Sequence, residues 1–277
     1  MKQTLLLLPF LAGACRGWVA QRPGVGGFKR LQKCNAQTAF WQEFSTLDGI
    51  DEEFAEQQWY LPSVVERALI DEESSVNPHH LLQSLDMSTK TREQALGALA
   101  ESDAIDTYSS ILTRDECYIL QTYLLKNVEK ELGIDNVDDC ADWQVNLDVE
   151  ELERLIGSHA VDRLFQVPSL LEDDPAIDNR SAFERVGIFI RVYERSPQGR
   201  PWMPFHSDGN AWTVNVALND DADYEGGRLM ALTDGALQVV ERGQGDATCH
   251  RGSVYHAVSA MKRGKRYSMI LFFHTDS

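Results

Sequence analysis

Positive charge is scarce in this chain of 277 residues: 26 Lys and Arg stand against 43 Asp and Glu, a formal net charge of −17. Without a basic stripe there is little to displace counterions from a phosphate backbone, which argues against nucleic acid or an anionic bilayer as partner. Cysteine is nearly as thin. Cys15, Cys34, Cys117, Cys140 and Cys249 lie far apart with no CxxC pair, so neither a zinc site nor a dense disulfide scaffold is indicated. No apolar run reaches the roughly 18 residues that a transmembrane helix needs, and no internal repeat is visible. The remaining composition, 43% hydrophobic and 9% aromatic, is that of a soluble globular chain able to bury one good-sized core or two modest ones.

Acidic residues are absent altogether from positions 1 to 42, which carry Lys2, Arg16, Arg22, Lys29, Arg30 and Lys33. Lys2, the apolar run from Leu5 to Ala12 and the small residues Ala12-Gly13-Ala14 form a leader for the secretory pathway, with cleavage expected after Ala14. The stretch from Gly17-Trp18-Val19-Ala20 onward resembles the second half of the bipartite presequences of algae with complex plastids. A plain secretory signal followed by a basic linker is the other reading. The expected destination is therefore the plastid of such an alga, or the ER lumen or the exterior.

Residues 43–107 read as an acidic, partly helical peripheral region, with helical patches at 54–60 and 64–70. His79 and His80, just past Pro78, read as solvated. Residues 108–277 read as the main domain, which the motifs below mark as the catalytic one. A helix is predicted from Arg114 to Leu132, capped by Thr113, with Asp115 and Glu116 in its first turn and Gly133 as its stop. Ile119, Leu120, Tyr123, Leu124 and Val128 fall at helical spacing and are expected to face a core. A second amphipathic stretch runs from Val149 to Phe165.

From Val186 the periodicity becomes two. Strands are predicted at Val186–Tyr193, Thr213–Leu218, Arg228–Leu232, Ala236–Val240, Ser253–His256 and Tyr267–Phe273, with turns at Gly226-Gly227 and Arg263-Gly264-Lys265. Helices followed by many short strands make this an α+β protein whose carboxy-terminal half is a β-sandwich or jelly roll.

His206-Ser207-Asp208 puts an imidazole and a carboxylate two residues apart, which on an extended backbone points both at one face. Such a triplet alone is weak evidence. His256, in Gly252-Ser253-Val254-Tyr255-His256, supplies a third ligand candidate, and Arg266 stands ten residues later. Two histidines and a carboxylate on one face of iron(II) leave the opposite face open for a co-substrate and O2.

This pattern, H-x-D, a distant His, then a basic residue about ten positions on, resembles the 2-oxoglutarate and iron(II)-dependent dioxygenase family, nearest its prolyl 4-hydroxylase-like branch. The segment Thr213 to Gly227, a strand ending in Leu-Asn before a Gly-Gly turn, resembles it too, and the motifs lie within residues 186–275. The resemblance implies a double-stranded β-helix, a form of jelly roll, supported by amino-terminal helices. It implies Fe(2+) on His206, Asp208 and His256, and 2-oxoglutarate whose distal carboxylate meets Arg266, with help from Ser268 and from Tyr193. Tyr193 lies thirteen residues ahead of His206, farther than the family's usual tyrosine, and a core tyrosine is the other reading. O2 is the co-oxidant and ascorbate the reductant. The implied reaction releases succinate and CO2 and hydroxylates an unactivated C–H bond of a peptide, with a peptidyl-proline as one candidate, or of a small molecule. An inactive 2-oxoglutarate-binding module is the alternative on the same fold. His250 is expected at the surface or behind the ligands, His274 away from them, and Trp202, Met203 and Phe205 either wall the substrate pocket or pack beneath it.

Overall fold

The computed structural model describes residue 93 and residues 104–128, 133–134, 141–174, 177, 180–195, 202–233 and 236–275. The leader, the patches at 54–60 and 64–70, and His79 and His80 lie outside these residues. The strands in chain order are β1 (Ile105–Tyr108), β2 (Gly133–Ile134), β3 (Ala141–Asp142), β4 (Gln144–Leu147), β5 (Arg185–Glu194), β6 (Met203–His206) and β7 (Trp212–Ala217). They continue with β8 (Glu225–Gly226), β9 (Leu229–Thr233), β10 (Ala236–Val240), β11 (Ala247–Arg251), β12 (Tyr255–Val258), β13 (Met261–Arg263) and β14 (Lys265–His274). Helices α1 (Arg114–Asn127), α2 (Val149–Ile156) and α3 (Ser158–Glu172) precede most of them. Among the described residues no helix is long and apolar enough to cross a membrane.

Helix α1 begins where the sequence predicts. The Thr113 hydroxyl accepts from Glu116 N, and the Glu116 carboxylate accepts from Thr113 N at 2.7 Å, a reciprocal capping box. Its end differs from expectation. The Asn127 side chain donates to the Tyr123 carbonyl at 2.7 Å, Val128 is the cap, and Gly133 starts strand β2 rather than stopping the helix. The buried face is Cys117, Leu120, Leu124 and Val128; Ile119, one residue off that stripe, is 39% exposed, and Tyr123 is only partly buried.

The stretch expected as one amphipathic helix from Val149 to Phe165 is two. Asp148 caps α2 through Glu151 N at 2.7 Å, and Gly157, with φ +84°, turns the chain before α3. A left-handed residue cannot continue a right-handed helix, so α2 and α3 pack on one another at an angle.

Six strands form one antiparallel sheet in the order β1-β11-β7-β14-β5-β4, and four form a second, β10-β9-β12-β6. This is the expected jelly roll. The predicted strands recur with ends shifted by up to two residues, Ser253–His256 becoming Tyr255–Val258 and Thr213–Leu218 becoming Trp212–Ala217. The periodicity gave no counterpart for β1, β4, β6 or β11. Because Ile105 pairs with His250 and Thr107 with Thr248, the sheet takes in residues 105–107, ahead of the boundary drawn at 108.

The larger sheet has two unlike faces. Val214, Val216, Met269, Leu271, Phe273, Ile188 and Ile190 form one core with Leu120, Leu124, Leu152, Val161 and Leu164 of the helices. Burying each such side chain contributes about 1.5–3 kcal/mol. The alternate residues, Thr213 and Asn215 on β7, Arg266 and Ser268 on β14, and Arg191 and Tyr193 on β5, are buried or nearly so, yet polar. A face that is both polar and buried is the one turned toward the second sheet, and the candidate site lies on it.

Candidate metal centre and co-substrate pocket

His206 ends β6 and His256 lies in β12, and the two are direct register partners in the smaller sheet, ring centroids 4.3 Å apart. Asp208, just past the strand, is fixed by its backbone N–H donating to the Gly252 carbonyl at 2.8 Å. Its Oδ1 lies 3.6 Å from His206 Nε2 and its Oδ2 3.8 Å from His256 Nε2. One ligand atom from each of the three falls within 4.8 Å of the others. The sequence triplet and the distant histidine beyond it are therefore brought to one point.

Supporting contacts orient two of the ligands. His256 Nδ1 is 3.1 Å from the Val254 carbonyl, an acceptor that places the proton on Nδ1 and leaves the Nε2 lone pair toward Asp208. Thr213 Oγ1 donates to Asp208 Oδ2 at 2.5 Å, and Asn210 Nδ2 donates to Thr213 Oγ1 at 3.0 Å. Burial pushes the Asp208 pKa up, but His256, His206, His250 and the Thr213 hydroxyl outweigh it, so the carboxyl is held below its ordinary value. Two imidazoles and one ionised carboxylate are a donor set that fits iron(II).

His250 is fully buried, its ring 4.6 Å from that of His256. It stands behind the ligands, not at the surface. Its Nδ1 is 2.8 Å from the Arg251 carbonyl, and burial followed by the neighbouring His256 pushes its pKa down to about 4. His274 lies at the far end of β14 near Arg185, away from the cluster.

The cavity at the three ligands runs between the sheets. Met203, Leu229, Val258, Ile270 and Phe272 give it an apolar wall, while Gln144, Arg191, Tyr193, Thr213 and Asn215 give it a polar one. Met203 thus walls the pocket; Trp202 and Phe205 are not on its lining. Tyr193 lines it as well, and sits opposite Arg266 in the β5–β14 register.

Arg266 lies behind Tyr193 and is 1% exposed. Nη1 donates to the Gly227 carbonyl at 2.9 Å, which the Gly226-Gly227 turn presents, and Nε donates to Ser268 Oγ at 3.2 Å. That turn needs glycine: both residues have positive φ, and a Cβ on Gly226 would fall 2.0 Å from the Ala260 carbonyl oxygen. Nη2 of Arg266 is buried with no hydrogen-bond partner. An orphaned guanidinium donor beside Tyr193, which itself lines the cavity, fits the tail carboxylate of a dicarboxylic acid.

Lys265, the adjacent basic residue, points the other way and pairs with Glu194 at 2.6 Å. Sequence reasoning passed over Thr213, Asn215, Arg191 and Arg242. Arg191 was within reach of it, since it shares a strand face with Tyr193 two residues on. Arg242 sits in a loop and left no such signal.

No protein-family model matches the chain. Over 133 residues, 46% of its length, it is 29% identical to a PKHD-type hydroxylase of Pseudomonas putida, and equally identical to one of Pseudomonas fluorescens. Each match spans 56% of the relative, so the chain covers little more than half the length of these curated proteins. Among solved structures, a Pseudomonas putida prolyl-4-hydroxylase superposes with a TM-score of 0.47 at 19% identity, covering 66% of this chain and 98% of that one.

Proposed function

We propose that this chain is a 2-oxoglutarate and iron(II)-dependent dioxygenase of the prolyl 4-hydroxylase-like branch, similar to the PKHD-type hydroxylases, and that it hydroxylates an unactivated C–H bond of a peptide or small molecule. The observation that carries the reading is the convergence of His206, Asp208 and His256 within 4.8 Å on the same cavity that Tyr193 closes in front of Arg266. Iron(II) bound there with 2-oxoglutarate and O2 supplies the chemistry, an oxidative decarboxylation to succinate and CO2 coupled to oxygen insertion into the substrate.

The chain's own residues bind, orient and exclude water. His206, Asp208 and His256 hold the metal from one side, with Thr213 and the Val254 carbonyl fixing the orientation of two of them. Arg266 offers its orphaned Nη2 to the distal carboxylate of 2-oxoglutarate, and Ser268, bonded to Arg266 Nε, sets that guanidinium's plane. Tyr193 forms the wall beside it. Leu229, Val258, Ile270 and Phe272 keep the cavity dry, which strengthens every polar contact inside. Ascorbate serves as the reductant that keeps the metal ferrous. A peptidyl-proline is the substrate to test first, in line with the branch of the family that the motifs resemble. The leader directs the chain into the secretory pathway, to a complex plastid, the ER lumen or the exterior.

The test is succinate release by the purified full chain with iron, 2-oxoglutarate and ascorbate, with Asp208→Ala as the control, followed by comparison of hydroxylated peptides between the two in the native host. Release that Asp208→Ala abolishes supports the reading. Tight 2-oxoglutarate binding without succinate would make the chain a sensor module, and activity in Asp208→Ala would refute the metal assignment.

A further inference from the structure

Two guanidinium groups lie buried behind the cavity lining, Arg266 against Tyr193 and Arg242 against Asn215. Arg242, in the loop between β10 and β11, has a side chain with no solvent exposure at all, and Arg266 is 1% exposed. They are close enough that Arg242 is, after burial itself, the largest influence holding the Arg266 pKa below its ordinary value. Arg242 Nη1 donates to Asn215 Oδ1 at 2.9 Å, while its Nε and Nη2 have no hydrogen-bond partner. With Arg266 Nη2, three buried N–H-bearing nitrogens on two cations are left without acceptors.

The counter-charge on hand is too small. Asp221 is the carboxylate beside Arg242, 3.8 Å from Nη2, beyond hydrogen-bond reach. Its oxygens are already engaged, Oδ1 by the Tyr224 hydroxyl and Oδ2 by the Arg242 backbone N–H at 3.1 Å, with Arg228 at 3.5 Å sharing its charge. Tyr224 adds no negative charge, because burial pushes its phenol up. Among the described residues, one carboxylate therefore faces two buried guanidinium groups. A buried cation without an anion is costly, and the surroundings hold room in their hydrogen bonding for one more carboxylate.

Asn215, which holds Arg242, and Tyr193, which covers Arg266, both line the cavity that starts at the three metal ligands. We propose that Arg242 is a second arginine of the co-substrate site, gripping with Arg266 the distal carboxylate of the 2-oxo acid, so that the site selects a dicarboxylate over a monocarboxylate through two cations. The inference rests on the reading above that 2-oxoglutarate is the co-substrate. A carboxylate has lone pairs enough for both forks, and sharing it satisfies donors that Ser268 and Gly227 leave open.

The experiment is equilibrium binding to the full chain loaded with manganese(II) under nitrogen, comparing 2-oxoglutarate with 2-oxopentanoate, the same five-carbon 2-oxo acid with a methyl where the distal carboxylate stands. In R242Q the affinity for 2-oxoglutarate should fall by at least about tenfold, the loss of a charge-assisted hydrogen bond, while manganese and 2-oxopentanoate bind as in the wild type. R242K should recover part of the preference. An unchanged preference in R242Q, or an equal loss for both acids, overturns the inference and leaves Arg242 as a support for Asn215 and Asp221. Should R242Q fail to fold, R242K decides in its place: a selective loss for 2-oxoglutarate supports the proposal, and wild-type behaviour overturns it. A wild type that does not bind 2-oxoglutarate at all would instead bring down the co-substrate reading, and this inference with it.

Discussion

Tyr193 and Arg266 face each other across β5 and β14, with the guanidinium carbon 5.2 Å from the ring centroid. The tyrosine is thus both the cavity wall and the lid on the cation behind it, and its hydroxyl accepts from Arg191 Nη1 at 3.2 Å. Tyr193→Ala removes a cation–π contact and opens the wall at once. It should weaken 2-oxoglutarate binding about tenfold with metal affinity unchanged. Calorimetric titration of the metal-loaded protein checks this, and an unaltered affinity would return Tyr193 to the role of a core residue.

The Thr213 hydroxyl orients the carboxylate of Asp208. Thr213→Val keeps the shape and deletes that hydrogen bond, so metal affinity should fall by about 10- to 100-fold, while Asp208→Ala should lose metal almost entirely. Equilibrium dialysis with metal analysis measures both. Equal metal content in Thr213→Val and wild type would show that Asp208 needs no partner.

Arg266 and Lys265 are adjacent in sequence and opposite in direction. Arg266→Ala leaves a carboxylate desolvated and unpaired, a loss of roughly 3 to 5 kcal/mol, and should raise the 2-oxoglutarate requirement by two to three orders of magnitude or more. Lys265→Ala removes a pair in which the lysine is 45% exposed, worth under about 1 kcal/mol, and should leave the requirement near wild type. Arg266→Lys should recover activity in part, since it restores charge without the fork. The 2-oxoglutarate dependence of the three variants is the measurement, and equal effects at 265 and 266 would contradict the register.

Gly157 has φ +84° and open space where a Cβ would stand. Gly157→Ala therefore costs conformational strain alone, about 1–2 kcal/mol, seen as a lower thermal midpoint with 2-oxoglutarate affinity intact. A midpoint at or above the wild-type value would mean that the α2–α3 turn tolerates a side chain.

Glu116 links the α1 cap to Arg163, which it meets at 2.7 Å. Burial pushes its pKa up, but the Thr113 backbone N–H, the Arg163 guanidinium and the Thr113 hydroxyl outweigh it, and the net shift is downward. A carboxyl depressed in the folded state adds stability above its unfolded pKa and loses it as pH falls through the folded one. Glu116→Gln should thus be less stable than wild type at neutral pH by about 1 kcal/mol, with the gap closing in acid. Denaturation curves from neutral to acidic pH test the sign; a gap that widens toward low pH would contradict it.

Much of the site is legible in the residues themselves. The two-residue step from His206 to Asp208 fixes a shared face because side chains alternate along an extended chain, and the same rule groups Arg266 with Ser268 and separates both from Lys265. Thr113 and Glu116 announce the start of α1 because the capping box is closed within four residues. The sequence by itself determined these features, since each depends on contacts made over a few residues. Only the tertiary structure decided that His256 stands opposite His206, that α2 and α3 part at Gly157, that His250 is sealed behind His256, and that Arg242 stands beside Arg266. Period two says which face a residue takes but not which strand lies beside it. Pairing across tens of residues is set by how the two sheets close on each other and on the helices, and that closure brings a loop arginine with no motif against Asn215 on the pocket wall.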